Sequence, residues 1–395
     1  MSSFLKKERQ MNQNKTVLIL GGGSGGLVAA NRLRKLLPKK DHVILIERDK
    51  NYLFAPSLLW LMMGTRQLSK IQKSYALLEK KGIEVVCGNI EHIDPIKKSV
   101  HVNGEELKSD ALIVSLGATL APEKIPGLTQ AGHNLYTAEG TEGIRDDLSK
   151  FRSGRIVLLT AAPAYKCPAA PYEAAMLIEY QCRKKKIRPA VQIELYAAEP
   201  GPMGVAGPEI SSAVRRMVEQ KGISYYPSHQ IKSINPEKKE ILFNNNVSVP
   251  YDLLIYIPPH QAPEVLQNSG LINESGWIPV DRHTLETKFK SIYAIGDIAV
   301  IPLKLGKPLP KAGVFAHGEA EVVSENLAHA WTGKGQVRSF SGYGECFIET
   351  GDNKAGIGKG NFYAEPTPQI KMRAPSFTGH LGKVLFEKWW LWKWF

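Results

Sequence analysis

The sequence predicts an α/β fold with two Rossmann-like dinucleotide-binding domains and a C-terminal membrane-associating segment. Three observations carry that expectation. A short apolar run near the start passes directly into a glycine cluster and a helical pattern, a second strand–loop–helix–strand order begins near residue 155, and the chain ends in an aromatic stretch punctuated by lysines.

The first unit opens with Lys15-Thr-Val-Leu-Ile-Leu20, a run suited to a buried parallel strand, and Gly21-Gly-Gly-Ser-Gly-Gly26 follows it, leading into a helix expected over Leu27–Leu37. The G-x-G-x-x-G frame is Gly21, Gly23 and Gly26, with Ser24 and Gly25 inside it. The next strand, His42-Val-Ile-Leu-Ile46, ends at Glu47 with Arg48 beside it, 21 positions after Gly26. Glycines for the turn, for close approach of a pyrophosphate and for helix–strand packing, with an acid for ribose hydroxyls, make a complete dinucleotide fingerprint. Short strands expected over Glu84–Ile90, Lys98–Val102 and Asp110–Leu116 complete this unit, and Gly117 lies in the turn that leaves it.

The second unit runs through Arg155–Leu159, a loop, a helix over Ala174–Lys184 and Val191–Ala197. Its loop, Thr160-Ala-Ala-Pro-Ala-Tyr-Lys-Cys-Pro-Ala-Ala-Pro-Tyr-Glu173, contains no glycine, so backbone cannot approach a pyrophosphate as in the first unit, which disfavours a nicotinamide dinucleotide as direct reductant. Glu199 ends the second strand where a ribose-binding acid sits, although Glu199-Pro-Gly-Pro also reads as a simple turn. Cys167 stands just before a helix start, where exposed N–H groups and Lys166 would favour a thiolate. From these residues alone Cys167 is either a nucleophile or an inert loop thiol. Glu173, in the first helical turn, suits proton relay or ordinary helix stabilisation.

With 395 residues, 43% hydrophobic and 23% charged, the chain has the make-up of a globular protein of two or three domains. Four widely spaced cysteines exclude a disulfide scaffold and a CxxC metal site, and no metal is expected. Cys87 and Cys182 read as small buried hydrophobes. The net charge of +13 is spread in short groups without a nucleic-acid motif, so nucleic acid is not an expected partner. No signal peptide is recognised, and no run approaches the ~20 apolar residues of a spanning helix. Four of the seven tryptophans fall within Trp389–Phe395, and Lys383, Lys388 and Lys393 punctuate the longer stretch Gly382–Phe395, as expected of a helix lying at a membrane interface with its lysines on anionic lipid. Docking of this segment on its own protein is the alternative. The resulting organisation is a polar tail over 1–14, a first cofactor segment over 15–120, the second Rossmann-like domain over 121–265, a returning cofactor segment over 266–330 and a C-terminal domain over 331–395.

A resemblance sharpens these readings. The glycine cluster with Glu47, together with Tyr293-Ala-Ile-Gly-Asp297, resembles the two-dinucleotide-binding-domain flavoproteins, in which both elements hold FAD. Gly296 and Asp297 are thereby implied in flavin binding, as are Lys311, Ala312 and Gly313 at the start of a helix aimed at the flavin pyrimidine edge. His317, one turn further on, reads as structural. Lys166-Cys-Pro-Ala-Ala-Pro-Tyr-Glu173 and Gly344-Glu-Cys-Phe-Ile-Glu-Thr-Gly-Asp352 are similar to the cysteine segments of flavocytochrome c sulfide dehydrogenases and sulfide:quinone oxidoreductases, and the resemblance implies that Cys167 and Cys346 form a redox pair at the flavin. A third cysteine found in many of the quinone-linked enzymes has no counterpart over Leu116–Gly154. The resemblance implies FAD-dependent oxidation of hydrosulfide or a related sulfur compound, with electrons passing to a quinone. Phe347, Tyr343 and Phe377 are candidates for lining the quinone site. The expected setting is peripheral, on the cytoplasmic side of a membrane, and compatible with a homo-oligomer. The alternatives are a type II NADH:quinone oxidoreductase, a flavoprotein reducing a cytochrome, and an interaction protein with a structural flavin.

Overall fold

The structure, a computed structural model, describes residues 14–395. Of the polar tail expected over 1–14, all but Asn14 lies outside the described residues.

Two five-stranded parallel sheets organise the chain. The first has the order Ile292–Ala294, Ala111–Val114, Thr16–Leu20, His42–Glu47 and Glu84–Cys87. Its central strands are apolar on both faces because helices cover one side and a layer of strands and loops the other, so Val17 to Leu20 and Ala111 to Val114 are wholly buried. The outermost strand comes from far downstream, so the chain leaves this sheet, builds the second one and returns. The second sheet has the order His133–Asn134, Leu253–Ile257, Gly154–Thr160, Val191–Ala197 and Ser224–Tyr226.

The first helix begins at Ser24, three residues earlier than its apolar pattern indicates, because the last glycines of the cluster already belong to it. The second-domain helix likewise begins at Ala170, with Pro171 in its first turn, where the missing proline N–H is not needed. Helix Gly313–Thr332 packs against the first helix and closes the first domain.

A three-stranded antiparallel sheet follows, Tyr343–Gly351, Lys354–Asn361 and Gln369–Ser376, and then the terminal helix Phe377–Lys393, whose Ser376 cap accepts from the Gly379 N–H at 3.1 Å. This helix has two apolar faces. Trp390, Leu391 and Trp394 are buried in the same core as Leu27, Val28 and Ala30 of the first helix. Trp390 donates from Nε1 to the Tyr52 hydroxyl at 2.8 Å, and Phe395 lies 5.3 and 6.2 Å from the Tyr52 and Tyr75 rings. The opposite face is exposed at Phe377, Leu381, Leu385, Trp389 and Trp392, the last 78% accessible. The tryptophan-rich stretch therefore divides between docking and exposure, and Lys383 is not lipid-facing but buried. Among the described residues no helix is long and apolar enough to cross a membrane.

Candidate active site

The glycine loop has the shape that its sequence requires. Gly21 adopts φ +95°, where a Cβ would stand 2.5 Å from the Ser115 carbonyl oxygen, and a Cβ at Gly26 would overlap the Gly21 carbonyl. Gly23 and Gly117, by contrast, face open space into which a ligand's backbone contacts could extend. Glu47 accepts from the Gly22 N–H at 2.7 Å and the Asp49 N–H at 3.2 Å, so it braces the loop from the end of its strand. Arg48 points to solvent beside Asp49.

The returning segment meets this loop. Ile295 packs where Gly25 lacks a side chain, and Gly313 leaves room for Ser24, with a Cβ there only 3.4 Å from the serine Oγ. Ala312 caps the helix that starts at Gly313, which brings a positive helix end to the junction. Gly296, at φ +75°, donates its N–H to Glu319 at 2.6 Å. Burial and the Asp297 charge push Glu319 up to about 8. Burial likewise raises Asp297, with Lys166 and Lys311 opposing, and lowers Lys311 to about 8. Lys311 donates to the Asp297 carbonyl and lies 3.5 Å from the Trp277 ring centre. These residues fit a dinucleotide cofactor: a helix start, a glycine cradle with open space at Gly23, and an acid at a second helix end, all supplied from two distant segments.

Cys167 and Cys346 come to one place from different domains. Cys167 sits in the second-domain loop at φ +50°, held by its own N–H to the Lys311 carbonyl (2.8 Å) and by the Tyr136 hydroxyl, which donates to the carbonyls of Lys166 (2.6 Å) and Cys167 (3.1 Å). Cys346 lies on the strand Tyr343–Gly351. Both thiols are free. Cys167 is reachable by solvent and yet closely ringed by protein. That burial, with the charges of Glu173 and Cys346, pushes its thiol up to about 12 against the pull of Lys383. Burial and Glu173 push Cys346 up to about 11. The expectation of a lowered Cys167 pKa is therefore corrected. The desolvation outweighs the helix start, and Lys166 lies over the Tyr136 ring, with its charge acting on Asp297 and His260.

Glu173 is buried and ion-paired. Its Oε1 accepts from Lys383 Nζ at 2.8 Å and from the Glu349 N–H at 2.8 Å, and Glu349 in turn meets His380 Nδ1 at 3.0 Å. Burial works against the Lys383 ammonium, but Glu173 and Glu349 more than offset it and leave its pKa raised. One helical turn on, Glu387 is held by Arg66 at 2.9 Å and by the Ser57 hydroxyl at 2.7 Å. Sequence reasoning missed Glu349, His380, Glu387 and Glu319, and placed Lys383 on lipid. A four-residue period through Lys383, Glu387 and Leu391, opposite to that through Phe377, Leu381, Leu385 and Trp389, was the available signal for an inward polar face.

The remaining candidates separate. His317 lies between the Trp390 and Trp394 rings, 5.5 and 5.7 Å away. Phe347 lies tilted against Phe386, with ring centres 6.4 Å apart, while Tyr343 and Phe377 are largely exposed. Cys182 is buried as expected, but Cys87 is exposed because its strand is the edge of the first sheet. His260, also missed, donates from Nδ1 to the Pro258 carbonyl (2.9 Å) in its neutral form. Burial lowers it to about 4, and its Nε2 has no partner among the described residues.

Two parallel nucleotide-type sheets, with a glycine cradle completed by a returning Gly-Asp segment, define a two-domain FAD-dependent oxidoreductase. A model of the pyridine nucleotide-disulphide oxidoreductase family matches residues 15–323, and the chain belongs to that family, with FAD as its cofactor. It is 28% identical to the sulfide-quinone reductase of Aquifex aeolicus, over 96% of this chain and 91% of that one. It is 24% identical to the mitochondrial sulfide:quinone oxidoreductase of Mus musculus, over 89% of this chain and 79% of that one. The crystal structure of the Aquifex aeolicus sulfide:quinone oxidoreductase superposes with a TM-score of 0.86 at 25% identity, covering 96% of this chain and 91% of that one.

Proposed function

We propose that the chain oxidises hydrosulfide, or a related sulfur compound, through a redox-active pair formed by Cys167 and Cys346, and delivers the electrons to a quinone at a membrane surface. The observation that carries this reading is the convergence of the two cysteines on one buried ion pair, Glu173 and Lys383, beside the flavin frame. The kinship with sulfide:quinone oxidoreductases supports the same substrate and acceptor.

In the oxidised pair, hydrosulfide attacks one sulfur, so that an S–S bond to the substrate forms as the Cys167–Cys346 bond breaks. One cysteine becomes a persulfide and the other a thiolate. Lys383 stabilises that thiolate, which is needed because burial and Glu173 oppose its charge. A second hydrosulfide removes the sulfane sulfur as hydrodisulfide, leaving one thiol and one thiolate that reoxidise to the disulfide with release of two electrons and a proton. A flavin held by the Gly21–Gly26 cradle and the Gly296–Asp297 segment would supply the two-electron acceptor between this pair and the quinone, whose reduction takes up one further proton. The overall change is two hydrosulfides to one hydrodisulfide. Glu173, hydrogen-bonded to Lys383, holds the ammonium in place and offers a proton path toward Glu349 and His380.

The NADH-oxidising alternative is disfavoured by the second domain. Its loop lacks glycine, and Glu199, the strand-end acid, is already taken by Thr160, Tyr165 and Tyr172. The exposed stripe Phe377, Leu381, Leu385, Trp389 and Trp392 supports peripheral membrane contact, since so contiguous an apolar face is unfavourable in water. Anaerobic stopped-flow mixing with sulfide and with NADH in parallel tests the reading. Sulfide should bleach the flavin rapidly and NADH should not; bleaching by NADH alone would overturn it.

A further inference from the structure

The loop that carries Cys167 is built without glycine, yet it holds a side-chain-bearing residue at φ +50°, a conformation that persists only where the surroundings impose it. The constraint on the second-domain side is concentrated in one residue. Glu199 Oε2 accepts from the Thr160 hydroxyl at 2.7 Å, and its Oε1 accepts from the Tyr165 hydroxyl at 2.5 Å and the Tyr172 hydroxyl at 2.8 Å. Thr160 stands where the strand ends and the loop begins, Tyr165 just before Cys167, and Tyr172 in the first turn of the following helix. Thr160 is itself fixed, its Oγ1 accepting from the Ala198 N–H at 3.1 Å.

We infer that Glu199, the acid at the end of the second strand of the second domain, is the positioning residue of the Cys167 loop, tying its beginning, middle and end to one buried carboxylate. The inference rests on the proposed redox role of Cys167. A carboxylate accepts and never donates, so it can gather three hydroxyl donors on two oxygens, which a neutral side chain of the same length does less completely. All four residues are buried, so no water replaces a lost partner. Burial raises both phenols well above their ordinary value, followed by the Glu199 charge at Tyr165 and by Tyr165 and then Glu199 at Tyr172, so they remain donors through the working pH range. Glu199 does not touch the reacting sulfur. It acts through the loop, opposite the ties that Lys311 and Tyr136 make to the Cys167 backbone.

The test uses the flavin-loaded enzyme and separates the two half-reactions. In Glu199→Ala, flavin reduction by sulfide should slow on the order of 100-fold, the cost of a roughly 1 Å misplacement of a reacting group, while reoxidation of the dithionite-reduced enzyme by a soluble quinone stays at the wild-type rate. Glu199→Gln keeps a carbonyl acceptor for both tyrosines and should restore most of the loss. Because Glu199→Ala leaves three buried donors unpaired and can fail to fold, Tyr165→Phe serves as the second variant. It removes one tie without stranding the carboxylate and should slow the sulfide step by about tenfold with little change in Tm. Equal loss of both half-reactions, or wild-type sulfide reduction in the variants that fold, overturns the inference. Should Cys167→Ser keep normal sulfide reduction, the redox reading fails instead. The pH profile of iodoacetamide labelling at Cys167 still decides the positioning role: it shifts in Tyr165→Phe if Glu199 sets the loop, and stays unchanged if it does not.

Discussion

Glu47 and Glu199 stand at the ends of corresponding strands in the two parallel sheets, and their surroundings have driven them to different uses. Glu47 is met by the Gly22 N–H of a glycine-rich loop, and the space before Gly23 stays open. Glu199 is met by two tyrosines and a threonine from a loop that has no glycine, so the corresponding space is filled by phenol rings. The same architecture thus binds a dinucleotide in one copy and supports a cysteine in the other. The difference lies in whether the strand–helix turn can bring bare backbone to a phosphate.

The largest effect should come from making the first turn resemble the second. Gly26→Ala places a methyl group into the Gly21 carbonyl, an overlap that the backbone can relieve only by moving the loop. It should yield protein without bound flavin, read directly from the visible spectrum, with overpacking costing about 1–3 kcal/mol or more. Retention of stoichiometric FAD would refute the role of this loop. At the cysteine site the corresponding lesion is chemical. Cys167→Ser and Cys346→Ser should each abolish flavin reduction by sulfide while the flavin stays bound, since neither residue belongs to the glycine cradle. Normal bleaching in either variant is incompatible with the paired mechanism.

How legible these two sites were in the sequence follows the same division. The first site is local: strand, glycines, helix and acid lie within 33 residues from Lys15 to Glu47, so periodicity and turn chemistry suffice. The position of Cys167 just ahead of a helix start was legible for the same reason, while its redox role rested on the resemblance alone. The environment of the cysteine was not legible. Glu173 meets Lys383 across 210 positions, and Glu199 gathers Tyr165 across 34, distances over which no spacing rule reports. The lowered thiol pKa was expected from local charge alone, whereas burial and the facing Glu173 and Cys346 settle its direction. Lys383 was misplaced for a related reason: an aromatic helix punctuated by lysines has the same composition whether a given lysine faces lipid or a buried carboxylate.

A smaller effect separates the two cofactor-side acids from those of the second domain. Glu319 is pushed up to about 8 by burial and by Asp297, so between its ordinary ~4.3 and about 8 the folded protein holds a proton that the unfolded chain has released. Folding stability in the flavin-free protein should therefore fall as pH rises through that window, by up to about 1.4 kcal/mol per unit from this group. Lys311, lowered to about 8, contributes its own slope only above that value. Glu319→Gln keeps an acceptor for the Gly296 N–H and should flatten the urea-denaturation profile between pH 5.5 and 7.5 by about 2 kcal/mol. An unchanged profile would show that Glu319 does not titrate in this window.

The terminal helix repeats the contrast of filled and open faces on a single element, and its outward face carries the smallest effect. Trp394 is 1% accessible and packs with Trp390 on the first domain, whereas Trp392 is 78% accessible on the outward stripe. Trp394→Ser should cost about 3–5 kcal/mol of stability, as loss of a buried indole does. Trp392→Ser should leave Tm unchanged and weaken sedimentation with anionic vesicles by roughly tenfold, the equivalent of about 1.4 kcal/mol for a ring inserted part-way into the interface. Leu385→Ser should act in the same direction and less strongly. Removing the whole of Trp389–Phe395 is a poorer test, because it takes away the docking face with the outward one. If Trp392→Ser and Leu385→Ser both bind vesicles as the unaltered chain does, the outward stripe is not the membrane contact, and the quinone must be reached from another surface.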